Sequence, residues 1–297
     1  MSNKQRVFTG AATAIITPFK NGLIDYEAYS NILEFQITNG INGIVVCGTT
    51  GEAATLTDDE HREIIEYTVK KVAHRVPVIA GTGSNDTAYA IELSKHAREA
   101  GADALLLVTP YYNKTSQKGL VKHFEAIADA TDIPNILYNV PSRTGINISI
   151  DAYKALAKHQ NITATKEACG NINFICDLME ACGDELDVYS GNDDHVVPMM
   201  SIGAKGVISV IANIMPAQMA LLTRLYLDGE VKKSAELQLK LLKLINALFV
   251  VVNPIPIKTA MARMGFCDIE MRLPLCEMDD KDNEALFELM RSHGLIK

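Results

Sequence analysis

Eight short apolar runs carry apolar residues at nearly every position, where a half-exposed strand would alternate. They are ATAIITPF (12–19), GIVVCG (43–48), PVIAG (77–81), ALLLVTP (104–110), NILYNVP (135–141), ITATK (162–166), DVYSG (187–191) and GVISV (206–210). Burial on both faces is the signature of a parallel sheet covered by crossover helices. The segments between the runs have helical period. DDEHREIIEYTVKKVAHR (58–75) carries Ile64, Ile65, Thr68, Val69 and Val72 on one stripe. Its acids Asp58 and Asp59 open it and Lys70, Lys71 and Arg75 close it, as the helix dipole favours. TAYAIELSKHAREAGAD (87–103) is a second such helix, with Gly101 as its stop. Eight strand–helix units in about 210 residues fit an α/β fold, a closed (β/α)8 TIM barrel. A doubly wound open sheet is the alternative, but no G-x-G-x-x-G follows the first strand. From about residue 215 the chain reads as helix only. The expected organisation is a barrel over 1–225 and a C-terminal helical appendix over 226–297 packed on it.

The rest of the composition narrows the function class. A net charge of -8 argues against a nucleic-acid partner. The longest apolar stretch near a helix, LINALFVVV (244–252), is too short to cross a membrane. The first residues lack the apolar core of a signal peptide, so a cytoplasmic location is expected. Cys47, Cys169, Cys176, Cys182, Cys267 and Cys276 form no C-x-x-C and no zinc spacing with histidine, so free thiols are expected. Cys169 is either a packing residue or a thiol near a site.

In a barrel of this kind the reactive groups stand at the C-terminal ends of the strands. Those ends carry GTTGE (48–52), TPYYN (109–113), Tyr138 and Asn139 with Arg143 beyond them, Lys166 and Glu167, GNDD (191–194), and Ser209 to Asn213. A lysine at the end of a buried strand is costly unless it is paired or neutral. One lysine, three tyrosines and an arginine, without a cluster of metal ligands, point to covalent amine chemistry. A desolvated lysine loses its preference for the charged form, and the neutral amine condenses with a ketone to a Schiff base. A tyrosine hydroxyl can relay the protons. The competing reading of Lys166 is a rim pair with Glu167, although neighbours on a strand point to opposite faces. GTTGE is either a tight turn or a set of N–H groups and hydroxyls for a small anion. PSRTG (141–145) is either a surface turn with a solvated Arg143 or a bidentate grip on a carboxylate.

GTTGE, TPYYNK, YNVPSRTG, ATKEACGN, GNDD, GVISV and NPIPIKTAM follow one another in an order that resembles the dihydrodipicolinate synthase family. That family lies in the class I pyruvate aldolase superfamily, which includes N-acetylneuraminate lyase. The resemblance runs from TAIITPF to MRLPL (271–275), nearly the whole chain. It implies a (β/α)8 barrel with a C-terminal helical domain, a homotetramer built as a dimer of dimers, and no cofactor. The implied activity is that of a lyase, 4-hydroxy-tetrahydrodipicolinate synthase. Pyruvate, held as a lysine Schiff base, is condensed with aspartate 4-semialdehyde in lysine and diaminopimelate synthesis.

Residue by residue, Lys166 matches the family's Schiff-base lysine and Tyr138 its proton-relaying tyrosine. Thr50 matches the threonine that links Tyr138 to a second tyrosine, matched by Tyr112, which the family lends to the neighbouring subunit. Thr49 and Thr50 resemble the pair whose N–H groups hold the pyruvate carboxylate. Arg143 resembles the arginine that receives the semialdehyde carboxylate, and Ile208 a position whose carbonyl faces the pyruvyl group. Thr165 and Cys169 depart from the usual pattern without removing a catalytic group. Arg143 disfavours a sugar-acid lyase, and the full set disfavours a silent small-acid sensor. Feedback-inhibited relatives bind lysine in a cleft that corresponds here to Ala53–His61 and Ser84–Tyr89 with Tyr111. His61, Asn85 and Tyr111 resemble the inhibited pattern. Tyr89 replaces a glutamate, Ala53 a serine and Asp58 a histidine, which implies weak or no inhibition by lysine.

Overall fold

The computed structural model describes residues 4–297. Eight strands form the barrel: β1 (Gly10–Ala14), β2 (Gly43–Val46), β3 (Val78–Gly81), β4 (Ala104–Val108), β5 (Asn135–Asn139), β6 (Ile162–Glu167), β7 (Asp187–Ser190) and β8 (Gly206–Ser209). All neighbours are parallel, and β1 pairs with both β2 and β8, which closes the ring. The open-sheet alternative is thereby excluded.

The two-faced burial read from the sequence is real. Ile79, Leu106, Ile136, Tyr138, Ala164 and Ile208 fill the barrel interior. Their strand neighbours Val78, Ala80, Leu105, Leu107, Leu137 and Val207 face the helical layer. The floor is closed by Phe8, which stacks on Tyr189 with ring centroids 4.2 Å apart. The Tyr189 hydroxyl donates to the Phe8 carbonyl at 2.7 Å.

The strands starting at residues 12 and 104 in the sequence reading stop sooner than expected, at Ala14 and Val108. Pro18 and Pro110 lie beyond those ends, and proline offers no N–H to a ladder.

The barrel helices are α1 (Tyr26–Thr38), α2 (Asp58–Val72), α3 (Thr87–Glu99), α4 (Gln117–Asp129), α5 (Ile150–Leu156), α6 (Ile172–Cys182), α7 (Val196–Ser201) and α8 (Pro216–Leu227). Helix α2 starts on a capping box in which Thr57 and Glu60 satisfy each other's N–H groups. It ends before residue 75 because Ala73 and His74 both turn left-handed, at φ 50 and 59. Helices α9 (Val231–Ala247), α10 (Ile255–Arg263) and α11 (Asp280–Ser292) follow. Position 225 lies inside α8, which runs on to Leu227. Among the described residues no helix is long and apolar enough to cross a membrane.

Candidate active site

A cavity of about 160 Å³ opens at the C-terminal end of the barrel, lined in part by Thr49, Thr50, Tyr138, Arg143, Lys166 and Asn253. Strands β5 and β6 run in register there, with Tyr138 opposite Lys166. The Lys166 side chain is buried, and its Nζ lies 4.4 Å from the centroid of the Tyr138 ring. It has no ion-pair partner among the described residues.

Glu167 is occupied elsewhere, so the rim pair with Lys166 does not form. Asn139 Nδ2 donates to both of its carboxylate oxygens at 2.9 Å, and Tyr153 Oη donates to Oε2 at 3.0 Å. The Cys169 N–H donates to Oε1 at 2.9 Å. The strand pleat explains this: successive side chains leave opposite faces, so Lys166 enters the barrel and Glu167 enters the layer under α5. Burial outweighs these donors and raises the Glu167 carboxyl above its ordinary range. Burial, assisted by Glu167, also pushes the Cys169 thiol up to about 12. A thiol held protonated is a poor nucleophile, which favours the packing reading of Cys169 over a catalytic one.

The turn after β2 is tight, with hydrogen bonds from Gly51 N to Gly48 O (3.0 Å) and from Glu52 N to Thr49 O (3.1 Å). Cys47 and Glu52 flank it at φ 55 and 54, in the left-handed region. Among the described residues the N–H groups of Thr49 and Thr50 have no acceptor. Both residues line the cavity. Two such donors side by side can receive a small anion.

Asn253, which precedes α10, joins two of the expected site residues. Its Nδ2 donates to Thr50 Oγ1 at 3.0 Å, and its carbonyl accepts from Arg143 Nη2 at 2.9 Å. The NPIPIKTAM motif contains Asn253, but nothing in its sequence gives that residue a part in the site. An asparagine before a proline in a helical tail was the only signal. Arg143 itself stands on a short helical turn, Pro141–Thr144, exposed at the cavity mouth.

Two expected residues stand apart. Tyr112 is 91% exposed, in the left-handed region at φ 66, and does not line its own chain's cavity. The Ile208 side chain is packed in the barrel interior, and Val210, two residues on, lines the cavity. From the GNDD segment, Gly191 and Asn192 line the cavity. Asp193 is buried beneath them and accepts the Val210 and Ile211 N–H groups at 3.0 and 2.9 Å.

A second cavity of about 480 Å³ shares Thr49, Tyr138, Arg143 and Asn253 with the first and continues to Ala53, His61, Tyr89 and Tyr111. His61 Nε2 donates to the Gly81 carbonyl at 2.8 Å, and burial lowers its pKa, which keeps the ring neutral. Asn85 Nδ2 donates to the Tyr111 carbonyl at 3.2 Å. Asp58 accepts from Arg62 Nε at 2.8 Å and from Tyr89 Oη at 2.9 Å.

A buried amine beside a phenol, an N–H pair for an anion and an arginine at the entrance make up an arrangement suited to covalent amine catalysis on an oxo acid. The model of the dihydrodipicolinate synthetase family matches residues 7–293. The chain belongs to this family. The 4-hydroxy-tetrahydrodipicolinate synthase of Acetivibrio thermocellus is 53% identical over 99% of this chain and 100% of its own. The dihydrodipicolinate synthase structure from Aquifex aeolicus superposes with a TM-score of 0.95 at 46% identity, covering 97% of this chain and 99% of that one. The chloride-inhibited dihydrodipicolinate synthase of Acinetobacter baumannii, solved in complex with pyruvate, gives a TM-score of 0.95 at 42% identity, over 97% of this chain and 99% of that one.

Proposed function

We propose that this chain catalyses the 4-hydroxy-tetrahydrodipicolinate synthase reaction, joining pyruvate to aspartate 4-semialdehyde through a Schiff base on Lys166. The observation that carries the reading is a buried Lys166, without an ion-pair partner among the described residues, 4.4 Å from the Tyr138 ring in a chain of this family.

The pyruvate carboxylate accepts hydrogen bonds from the Thr49 and Thr50 N–H groups. This brings the keto carbon to the Lys166 amine. The amine adds to that carbon, and the carbinolamine loses water to give the imine. Tyr138, beside the amine, passes the protons that addition and dehydration require. Thr50 Oγ1, held by Asn253, links Tyr138 to a second phenol, Tyr112 of a neighbouring subunit. The pyruvyl methyl loses a proton to give the enamine, whose carbon attacks the aldehyde of the second substrate. Arg143 holds that substrate's carboxylate, and the Ile208 carbonyl faces the pyruvyl group. The semialdehyde's own amine then displaces Lys166 from the imine carbon. This closes the ring and frees the enzyme.

No step requires a cofactor. The reading includes a homotetramer arranged as a dimer of dimers; the exposure of Tyr112, and its absence from its own chain's cavity, support a contact with a neighbouring subunit there. It also includes a cytoplasmic location and a C-terminal helical unit after the barrel.

Borohydride reduction with pyruvate tests the first step: a reduced pyruvyl adduct on Lys166 is expected, and its absence would reject the mechanism. A coupled assay with pyruvate and aspartate 4-semialdehyde tests the whole reaction. Turnover with pyruvate and a sugar aldehyde, but none with the semialdehyde, would assign the chain to the sugar-acid lyases instead.

A further inference from the structure

Glu52 closes the turn that carries Thr49 and Thr50, and its carboxylate is completely buried. Lys258 of α10, equally buried, donates its Nζ to Glu52 Oε1 at 2.5 Å. The backbone N–H of Arg272 donates to Glu52 Oε2 at 3.3 Å. Both partners come from the chain beyond the barrel. The same two side chains meet the buried Phe19 ring, with Lys258 Nζ and the Arg272 guanidinium each 4.3 Å from its centroid. Such cation–ring contacts gain strength where water is excluded. Arg272 goes on to bind Glu60 and the carbonyls of Thr55 and Gly22. Two cations and two carboxylates therefore balance within one network.

We propose that Lys258 is a positioning residue for the pyruvate step: through Glu52 it fixes the turn whose Thr49 and Thr50 N–H groups receive the pyruvate carboxylate. This rests on the proposed function, which assigns that carboxylate to the turn. Three observations support positioning over stability alone. A buried ion pair adds little stability compared with apolar groups of the same size, so stability alone does not account for this one. Glu52 sits at φ 54, a conformation that a non-glycine residue keeps only where its surroundings over-determine it. The turn is also gripped at Gly51 O by Thr17 Oγ1, 2.7 Å away, and at Thr50 by Asn253. Asn253 and Lys258 belong to one short segment at the start of α10. The helical tail thus holds the turn at its reactive threonine and at its closing acid.

The test compares Lys258→Met with the double variant Glu52→Gln/Lys258→Met. Thermal unfolding, steady-state kinetics for each substrate, and pyruvate-dependent borohydride trapping are measured on each. Lys258→Met leaves a buried carboxylate without its partner, so it lowers the melting temperature. It also lowers kcat/KM for pyruvate by roughly ten- to a hundredfold, the scale of a small misplacement of a binding group. The KM for the semialdehyde stays unchanged. The double variant has no uncompensated charge, so its melting temperature recovers while the pyruvate defect persists. Normal pyruvate kinetics in the folded double variant would reduce Lys258 to a structural role and overturn the inference alone. Should Lys258→Met fail to fold, the double variant carries the test by itself. Failure of the wild-type enzyme to be trapped by pyruvate would overturn the proposed function and this inference with it.

Discussion

Lys166 and Tyr138 face each other across adjacent strands in register, with the Lys166 Nζ 4.4 Å from the tyrosine ring centroid. Lys258 is also buried, but its amine is bound to Glu52. Among the described residues only Lys166 combines burial with a cavity and freedom from an ion pair. Lys166→Ala is therefore expected to abolish pyruvate trapping while circular dichroism and melting stay near those of the wild type. Peptide mapping of the reduced wild-type adduct locates the label. Label on Lys258 would sink the assignment.

Arg143 stands at the mouth of the cavity, held among the described residues by the Asn253 carbonyl alone, at 2.9 Å. Its remaining donors are available to a carboxylate. Arg143→Ala should weaken use of the semialdehyde by about 1.5–3 kcal/mol, the worth of hydrogen bonds to a charged group, or about ten- to a hundredfold. Pyruvate trapping should continue. Unchanged semialdehyde kinetics with impaired pyruvate binding would show that the role was misassigned.

The legible parts of the molecule are those where one local pattern decides the outcome. Eight strands could be read because residues such as Ile79 and Ala80 are buried on opposite faces, which leaves continuous apolar runs. Lys166 could be found because a lysine at the end of such a run has no cheap explanation. The end of α2 could not be read, since Ala73 and His74 turn left-handed without a glycine to announce it. Asn253 was missed because its partner Thr50 lies 203 residues away, a distance no periodicity spans. The burial of Lys258 was equally hidden: its partner Glu52 belongs to a turn at the other end of the chain.

Glu167 offers a pH test of the packing behind the site. Burial raises its carboxyl pKa in the folded state. The folded protein therefore binds this proton more tightly than the unfolded chain does. The associated stability is fully present below the unfolded carboxylate value and is lost as pH rises through the folded one. In Glu167→Gln the amide can still accept from Asn139 and the Cys169 N–H and can donate to Tyr153 Oη, which then turns to Thr165 Oγ1. The stability of the wild type minus that of Glu167→Gln should fall with rising pH over that window and then level off. Urea unfolding across the acid range measures it, and a difference that rises with pH would contradict the assignment.

Tyr112 is 91% exposed and lies outside its own cavity, so the proposed proton relay needs it from a second subunit. Tyr112→Phe alone should lower turnover, and so should Lys166→Ala. Mixed under conditions of subunit exchange, the two proteins should show activity above the sum of the parts. One protomer then lends its tyrosine to another's lysine. No gain on mixing, with exchange verified by mass, would argue that the relay uses a tyrosine of the same chain.

Lysine as an inhibitor would have to seat its ammonium group in the second cavity, between His61, Tyr89 and Tyr111. A buried ammonium without a paired carboxylate costs several kcal/mol. Two acids are near, and both are engaged. Glu52 is bound to Lys258 inside the protein, and Asp58 accepts from Arg62 and from Tyr89 Oη. Arg62 above all holds the Asp58 carboxyl below its ordinary value, so it is charged but already neutralised. Its exposed position also screens what attraction remains. His61, kept neutral by burial and donating to the Gly81 carbonyl, supplies no negative charge either. Tyr89 offers this cavity a phenol, which cannot supply the negative charge an ammonium needs. Lysine is therefore expected to inhibit weakly or not at all. A titration of the initial rate decides it: half-inhibition below about a millimolar, roughly -4 kcal/mol of binding, would overturn the expectation and make Asp58→Ala the next variant to measure.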